Sequence, residues 1–159
     1  MTGAAFSPAG DENCAVYLPY TRKTQFFETD AMGIIHHSNY IRWFEEGRVE
    51  FMQRMGFDYA RAHDLGIDLA VTGIECQYRA MTRFGETVIV WTRIKEFSPA
   101  RMTVGYRVTD SVTNELRALG ESGHCYISAK TGRPVSLKKA LPELYALFLS
   151  KKAEMDARQ

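Results

Sequence analysis

The sequence has few cysteines and no long apolar run, and each shortage excludes a class of protein. Cys14, Cys76 and Cys125 are an odd number without CxxC spacing, so they indicate neither a disulfide framework nor a zinc site. No uninterrupted apolar stretch approaches the roughly 18–20 residues that a membrane helix needs. The first residues also lack the positive start and apolar core of a signal peptide. We therefore expect a soluble cytoplasmic protein with reduced thiols and no membrane span.

Neither sign of charge dominates the chain. Twenty Lys and Arg stand against nineteen Asp and Glu, which leaves a formal net charge of +1. Without a global basic field the protein is not expected to gather nucleic acid, and any anion site must be local. The length of 159 residues fits one domain, and the apolar share of 45% is typical of a globular protein.

Residues 1–16 are rich in Gly, Ala, Ser and Pro, which predicts a flexible tail before a single domain over residues 17–159. A first strand is predicted over residues 20–28, and a long helix follows it. After it come a short helix predicted over residues 58–65 and a last helix over residues 141–157. Between these helices four strands are predicted over residues 68–80, 87–97, 101–109 and 116–129. Because the helices do not alternate with the strands, the order indicates an α+β fold with an antiparallel sheet.

The long helix is predicted over residues 39–55 by apolar side chains that recur every three or four positions, with Tyr40 among them. Its apolar face is too broad for a surface helix, so we expect it to be buried. Ser38 and Asn39 are candidate N-caps, and Gly56 is the candidate C-cap. Gly47 costs about 1 kcal/mol relative to Ala inside a helix, which indicates close packing at that position.

The most specific segment runs from Gln25 to Glu50 and reads QFFETDAMGIIHHSNYIRWFEEGRVE. Its distinctive residues are, in order, Thr29-Asp30 after an aromatic strand, Gly33, His37, Asn39-Tyr40, Glu45 and Arg48. This pattern resembles the 4-hydroxybenzoyl-CoA thioesterase family, and within it the bacterial acyl-CoA thioesterases associated with the Tol–Pal system. The resemblance covers roughly residues 18–148. It implies a hotdog fold, in which a five-stranded antiparallel sheet wraps around a long central helix, and it implies hydrolysis of acyl-CoA thioesters.

Asp30 is the candidate catalytic carboxylate. A thioester carbonyl needs an attacking group, and a carboxylate can act as nucleophile or as general base for water. It also needs a site for the developing oxyanion, which unpaired N–H groups at a helix start can supply. The resemblance assigns the first role to Asp30 and the second to the amide of His37. Gly33 would let the chain turn closely around the substrate. The alternative is that Asp30 is a turn residue only.

The remaining candidates are open between a site role and a structural one. The His37 side chain could orient water or substrate, or complete the helix start, and the role of His36 is undecided. Being adjacent, the two rings are expected to point apart, which argues against a metal site. Tyr40 could line the acyl pocket or belong to the core. Glu45 can pair with Arg48 three residues later. We therefore expect Glu45 to support the helix structurally before we assign it a role in the site.

Two basic groups could hold the phosphates of CoA. One is a loop over residues 130–139 that contains Arg133 and Lys138 and no acidic residue. The competing pair is Arg79 and Arg83. A solvated, solubilising loop is the alternative interpretation of residues 130–139.

Two rival functions compete with hydrolysis. A hotdog enoyl-CoA hydratase would place Asp and His around an Asn-Pro turn, which is absent near Asp30. A non-catalytic acyl-CoA-binding module on the same fold is the other rival. We expect acyl-CoA as the substrate, with acyl carrier protein as an alternative carrier, and no metal or redox cofactor. The resemblance also implies a homodimer or homotetramer.

Overall fold

The computed structural model describes residues 19–157. The predicted tail at residues 1–16 and Cys14 lie outside these residues. The strands are β1 (Tyr20–Lys23), β2 (Ile67–Tyr78), β3 (Thr87–Phe97), β4 (Arg101–Asp110) and β5 (Leu116–Ser128). The helices are α1 (Ser38–Arg54), α2 (Tyr59–Asp64), α3 (Leu137–Ala140) and α4 (Pro142–Asp156), with a short 3-10 helix at Phe26–Glu28.

The five strands form one antiparallel sheet in the order β1-β3-β4-β5-β2. On β4 the side chains of Met102, Val104, Tyr106 and Val108 are all buried. These side chains share one face of the strand, and that face meets α1. The α+β architecture and the antiparallel sheet are thus as predicted.

Helix α1 lies so close to the sheet that two positions must be glycine. A Cβ built on Gly47 would stand 2.8 Å from Val90 Cγ1 on β3, and one built on Gly120 of β5 would stand 2.2 Å from Phe44 Cε2. The ring of Phe44 also stacks on that of Tyr106, with 4.5 Å between their centroids. The close packing predicted at Gly47 is confirmed, and α1 is the buried central helix.

Several element ends follow from local chemistry. Gly56 and Gly66 have φ of 91° and 88°, so each ends its helix in the left-handed conformation that glycine tolerates. Asp58 caps α2, because its side chain accepts from the amides of Ala60 and Arg61. Pro142 occupies the first turn of α4, where its missing N–H costs nothing.

Two expectations about the start of the chain were wrong. The strand predicted over residues 20–28 ends at Lys23 and gives way to the 3-10 helix. Ser38 and Asn39 do not cap α1, because the helix already includes both residues and its N-cap position is His37. Asn39 is buried and uses its side-chain amide as a donor to the carbonyl of Glu28, at 2.9 Å.

No helix within residues 19–157 is both long and apolar enough to cross a membrane.

Candidate active site

The loop that carries Asp30 is closed by its own backbone. Thr29 and Ile35 form an isolated antiparallel bridge. Inside it, the amide of Asp30 donates to the carbonyl of Ile34 at 2.9 Å, and the amide of Gly33 donates to the carbonyl of Asp30 at 3.0 Å. Gly33 has a φ of 71°, a conformation that a residue with a Cβ adopts only with strain. The predicted turn at Gly33 is therefore present, and it brings both ends of the loop together.

The carboxylate of Asp30 is half-buried and only partly engaged. Its Oδ1 accepts from the amide of Met32 at 2.8 Å, so Asp30 has the local turn role that Asp commonly takes. Its Oδ2 has no hydrogen-bond partner among residues 19–157. One oxygen thus fixes the side chain, and the second is available to a ligand.

Asp30 and His37 line one open cleft of about 410 Å³. Tyr40, Tyr78 and Arg79 line the same cleft. The loop at residues 29–37 supplies the carboxylate, α1 supplies Tyr40, and the end of β2 supplies the second tyrosine. The structure therefore brings together the two residues that the sequence named as catalytic.

The backbone amides around the start of α1 differ in their hydrogen-bond partners. The amide of His36 donates to the carbonyl of Glu28 at 2.8 Å, and that of Asn39 donates to the carbonyl of His36 at 3.0 Å. The amide of Ser38 reaches Nδ1 of His36 at 3.3 Å. The amide of His37 donates to no group in the described part of the chain. It stands at the positive end of a helix of 17 residues, which is where an anion is stabilised.

His36 and His37 do not point apart as predicted. Their ring centroids lie 4.0 Å from each other at 32°, because the two residues belong to an irregular turn rather than to a regular element. The ring of His36 faces the helix start and contacts Ser38 Oγ at 2.8 Å through Nδ1. Within residues 19–157 no group of His, Cys, Asp and Glu is arranged to hold a metal ion.

Tyrosines form one wall of the cleft. The hydroxyl of Tyr78 donates to the carbonyl of His37 at 3.0 Å, and that of Tyr40 donates to Thr82 Oγ1 at 3.0 Å. Their rings meet edge to face, with centroids 5.2 Å apart. Desolvation, with Cys76 and Tyr40 as neighbours, raises the pKa of Tyr78 to about 12. Both hydroxyls are therefore neutral donors at pH 7, and Tyr40 belongs to the core and to the cleft at once.

The other predicted site residues lie elsewhere in this chain. Glu45 is 70% exposed at its side chain, pairs with Arg48 at 3.9 Å and does not line the cleft. Arg133 and Lys138 are exposed on the segment between β5 and α4, and neither lines the cleft. Of the two basic groups considered, the pair Arg79 and Arg83 contributes a residue, Arg79, to the cleft wall.

Glu28 is a residue of this region that the sequence reasoning did not single out. Its side chain is 2% exposed, although Glu is seldom buried unless paired. Trp43 Nε1 donates to Oε1 at 2.9 Å, Arg22 Nη2 to Oε1 at 2.5 Å, and the amide of Gln25 to Oε2 at 2.7 Å. The sequence held one signal, because Glu28 stands two residues before Asp30. Its partners come from β1 and α1, so only the fold reveals them.

The chain belongs to the Thioesterase-like superfamily, whose family model matches residues 25–147, and it is a thioester hydrolase by class. The predicted hotdog fold is thereby confirmed. A protein of Aquifex aeolicus (strain VF5) named "Putative esterase" is 35% identical over 125 residues, which cover 79% of this chain and 94% of that protein.

Two further relatives carry thioesterase names. A Bacillus subtilis (strain 168) protein named "Putative acyl-CoA thioesterase YneP" is 29% identical over 126 residues, which cover 79% of this chain and 91% of that protein. The DHNA-CoA thioesterase from Staphylococcus aureus is a solved structure with a TM-score of 0.84 and 27% identity. The match covers 90% of this chain and 95% of that one.

Proposed function

We propose that this protein hydrolyses an acyl-CoA or aroyl-CoA thioester to the free acid and CoA, with Asp30 as the attacking carboxylate or general base and the amide of His37 as the oxyanion donor. One observation carries this proposal. The Asp30 carboxylate, with Oδ2 unengaged, and His37, with an unused backbone N–H, line the same cleft. An attacking group and an oxyanion site are the two elements that acyl transfer needs.

Two routes are open to Asp30. As a general base, it takes a proton from water, the resulting hydroxide adds to the thioester carbon, and the thiolate leaves as the carbonyl reforms. As a nucleophile, it adds to the same carbon and expels the thiolate, and water then cleaves the mixed anhydride. In both routes the carbonyl oxygen becomes negative, and the His37 N–H at the helix start stabilises it.

The other residues of the cleft suggest how substrate is held. Tyr40 and Tyr78 offer apolar ring surface to an acyl or aroyl group. Gly33 has no side chain that would obstruct a substrate beside the Asp30 loop. Arg79 is the cleft residue suited to a CoA phosphate. Arg133, Lys138 and Glu45 stand outside the cleft in their own chain, so any contact they make with substrate is with a part of CoA beyond the cleft or comes from a second protomer.

Finer assignments stay predictions of the same proposal. These are the 4-hydroxybenzoyl-CoA subfamily, the kinship with Tol–Pal-associated enzymes, a cytoplasmic location and a homodimer or homotetramer. Acyl carrier protein in place of CoA is the alternative carrier. Hydrolysis of one acyl group carried on CoA and on acyl carrier protein separates these carriers. An enzyme that holds CoA phosphates through Arg79 hydrolyses the CoA thioester better than the phosphate-free N-acetylcysteamine thioester.

The test is thiol release, followed with a chromogenic thiol reagent, from short, long and aromatic acyl-CoAs. Asp30→Asn should lower kcat by about a hundredfold or more, because the amide neither attacks nor accepts a proton. Asp58→Asn is the matched control, because Asp58 also accepts a local backbone N–H, at 2.8 Å, and does not line the cleft. Equal rates for wild type and Asp30→Asn would remove Asp30 from the mechanism. Binding of acyl-CoA without thiol release would favour the binding module.

A further inference from the structure

We propose that Glu28 is a positioning residue for hydrolysis, whose buried carboxylate sets Asp30 and the His37 amide in their working arrangement. The inference rests on the proposed function and extends it to a residue outside the cleft. Glu28 does not line the cleft, so any effect it has on the reaction must pass through the backbone on either side of it.

The side chain of Glu28 joins three segments at one point. Arg22 reaches it from β1, the amide of Gln25 from the start of the 3-10 helix, and the indole N–H of Trp43 from α1. Trp43 is fully buried, and the guanidinium of Arg22 lies over its ring at 5.8 Å from the centroid. A buried carboxylate with three donors has little freedom to move, because each lost bond would leave charge unpaired in the interior.

The backbone of Glu28 holds the other side of the loop. Its carbonyl accepts from the amide of His36 at 2.8 Å and from the side-chain amide of Asn39 at 2.9 Å. The Asp30 loop therefore starts and ends on one anchored pair, Glu28 and His36. Asp30 is two residues beyond the first member, and His37 is one residue beyond the second. A shift of Glu28 would change the attacking carboxylate and the oxyanion donor relative to each other.

Stability alone does not explain a carboxylate here. Replacing a buried ion pair by apolar groups is often neutral or stabilising, so burial of a charge is weak support for a purely structural role. Arg22 also has a second carboxylate partner, because its Nη1 pairs with Glu46 on α1. Glu28 differs from Glu46 in that its carboxylate also accepts from Gln25 and Trp43, and its backbone carbonyl accepts from His36 at the end of the Asp30 loop.

The test compares Glu28→Gln with Glu46→Gln in steady-state thioester hydrolysis, with rates expressed per folded protein. Each change removes one carboxylate from Arg22, but only Glu28 adjoins the loop. Glu28→Gln should lower kcat by about 10- to 100-fold with a much smaller change in KM, because small misplacements of reacting groups cost factors of that order. Glu46→Gln should leave kcat within about twofold of wild type.

A purely structural role predicts a different result. Glu28→Gln would then lower the melting temperature while kcat per folded protein stayed at the wild-type value, and this outcome overturns the proposal. If Glu28→Gln does not fold, Trp43→Phe is the second variant, because it removes a single donor to the same carboxylate. Trp43→Phe should lower kcat by a larger factor than the factor by which it changes KM. A failure of this inference is distinct from failure of the proposed function: Asp30→Asn would be defective and Glu28→Gln would not. Wild type that releases no thiol would overturn both.

Discussion

Acidification from pH 7 to pH 5 should lower the free energy of unfolding by about 2 kcal/mol through His124 alone. His124 is 1% exposed on β5. Its Nε2 lies 2.7 Å from Ser122 Oγ, and that hydroxyl lies 2.6 Å from the hydroxyl of Tyr106. Its Nδ1 has no hydrogen-bond partner among the described residues. Desolvation by burial, followed by the positive charge of Arg48, lowers the pKa of His124 to about 4.

The sign follows from where the proton binds first. The unfolded chain takes up a proton near the ordinary pKa of 6.5, and the folded protein does so only near 4. Between these values the unfolded state binds more protons, so stability is present above pH 6.5 and is lost as pH falls toward 4. The whole difference corresponds to about 3 kcal/mol, of which about 2 kcal/mol falls between pH 7 and pH 5.

The assay is urea unfolding at pH 7, 6 and 5, at one protein concentration so that any self-association contributes equally. His124→Gln keeps a polar partner for Ser122 and removes the titration, so its stability should depend less on pH than that of wild type. His63→Gln is the control, because exposed His63 pairs with Asp68 at 2.7 Å, and that bond raises its pKa. The contribution of His63 therefore has the opposite sign and is lost as pH rises. Parallel pH profiles for wild type and His124→Gln would refute the reasoning.

Two further predictions concern packing and the β4–β5 turn. Gly120→Ala should destabilise the protein by about 1–3 kcal/mol or more in denaturant unfolding, because the new Cβ would stand 2.2 Å from Phe44 and 2.9 Å from the carbonyl oxygen of Glu75. Unchanged stability would contradict the close packing of α1. Hydrogen bonds from the backbone N–H groups of Thr113 and Val112, with Arg117, lower the pKa of Asp110 to about 2. The stabilisation they provide is lost as pH falls below 3.8, so Asp110→Asn should reduce the loss of unfolding free energy at acid pH by about 1–2 kcal/mol.

Local patterns in the sequence were enough for most of the fold. The spacing of apolar residues predicted the central helix, and the four later strands were predicted to within a few residues. Gly56 was correctly placed at a helix end. Each of these features depends on neighbours within a few positions, so the sequence contains the whole cause.

The start of α1 shows where local rules fail. Ser38 and Asn39 are favoured N-cap residues, yet the helix includes both, because the carbonyl of Glu28 accepts from the Asn39 side chain and the His36 ring reaches the amide of Ser38. The partner of Asn39 comes from the other end of the Asp30 loop. A capping rule that considers only consecutive residues has no access to that partner.

The sequence by itself determined the class of protein, the central helix and the identity of Asp30 and His37 as the residues to examine. Only the tertiary structure decided that these two share a cleft with Arg79, while Glu45, Arg133 and Lys138 of the same chain do not. It alone also decided that Glu28 and His124 are buried. Their burial depends on side chains from several strands and helices, such as Arg22, Trp43 and Tyr106. Such long-range contacts form when the sheet closes over α1, and no local spacing encodes them.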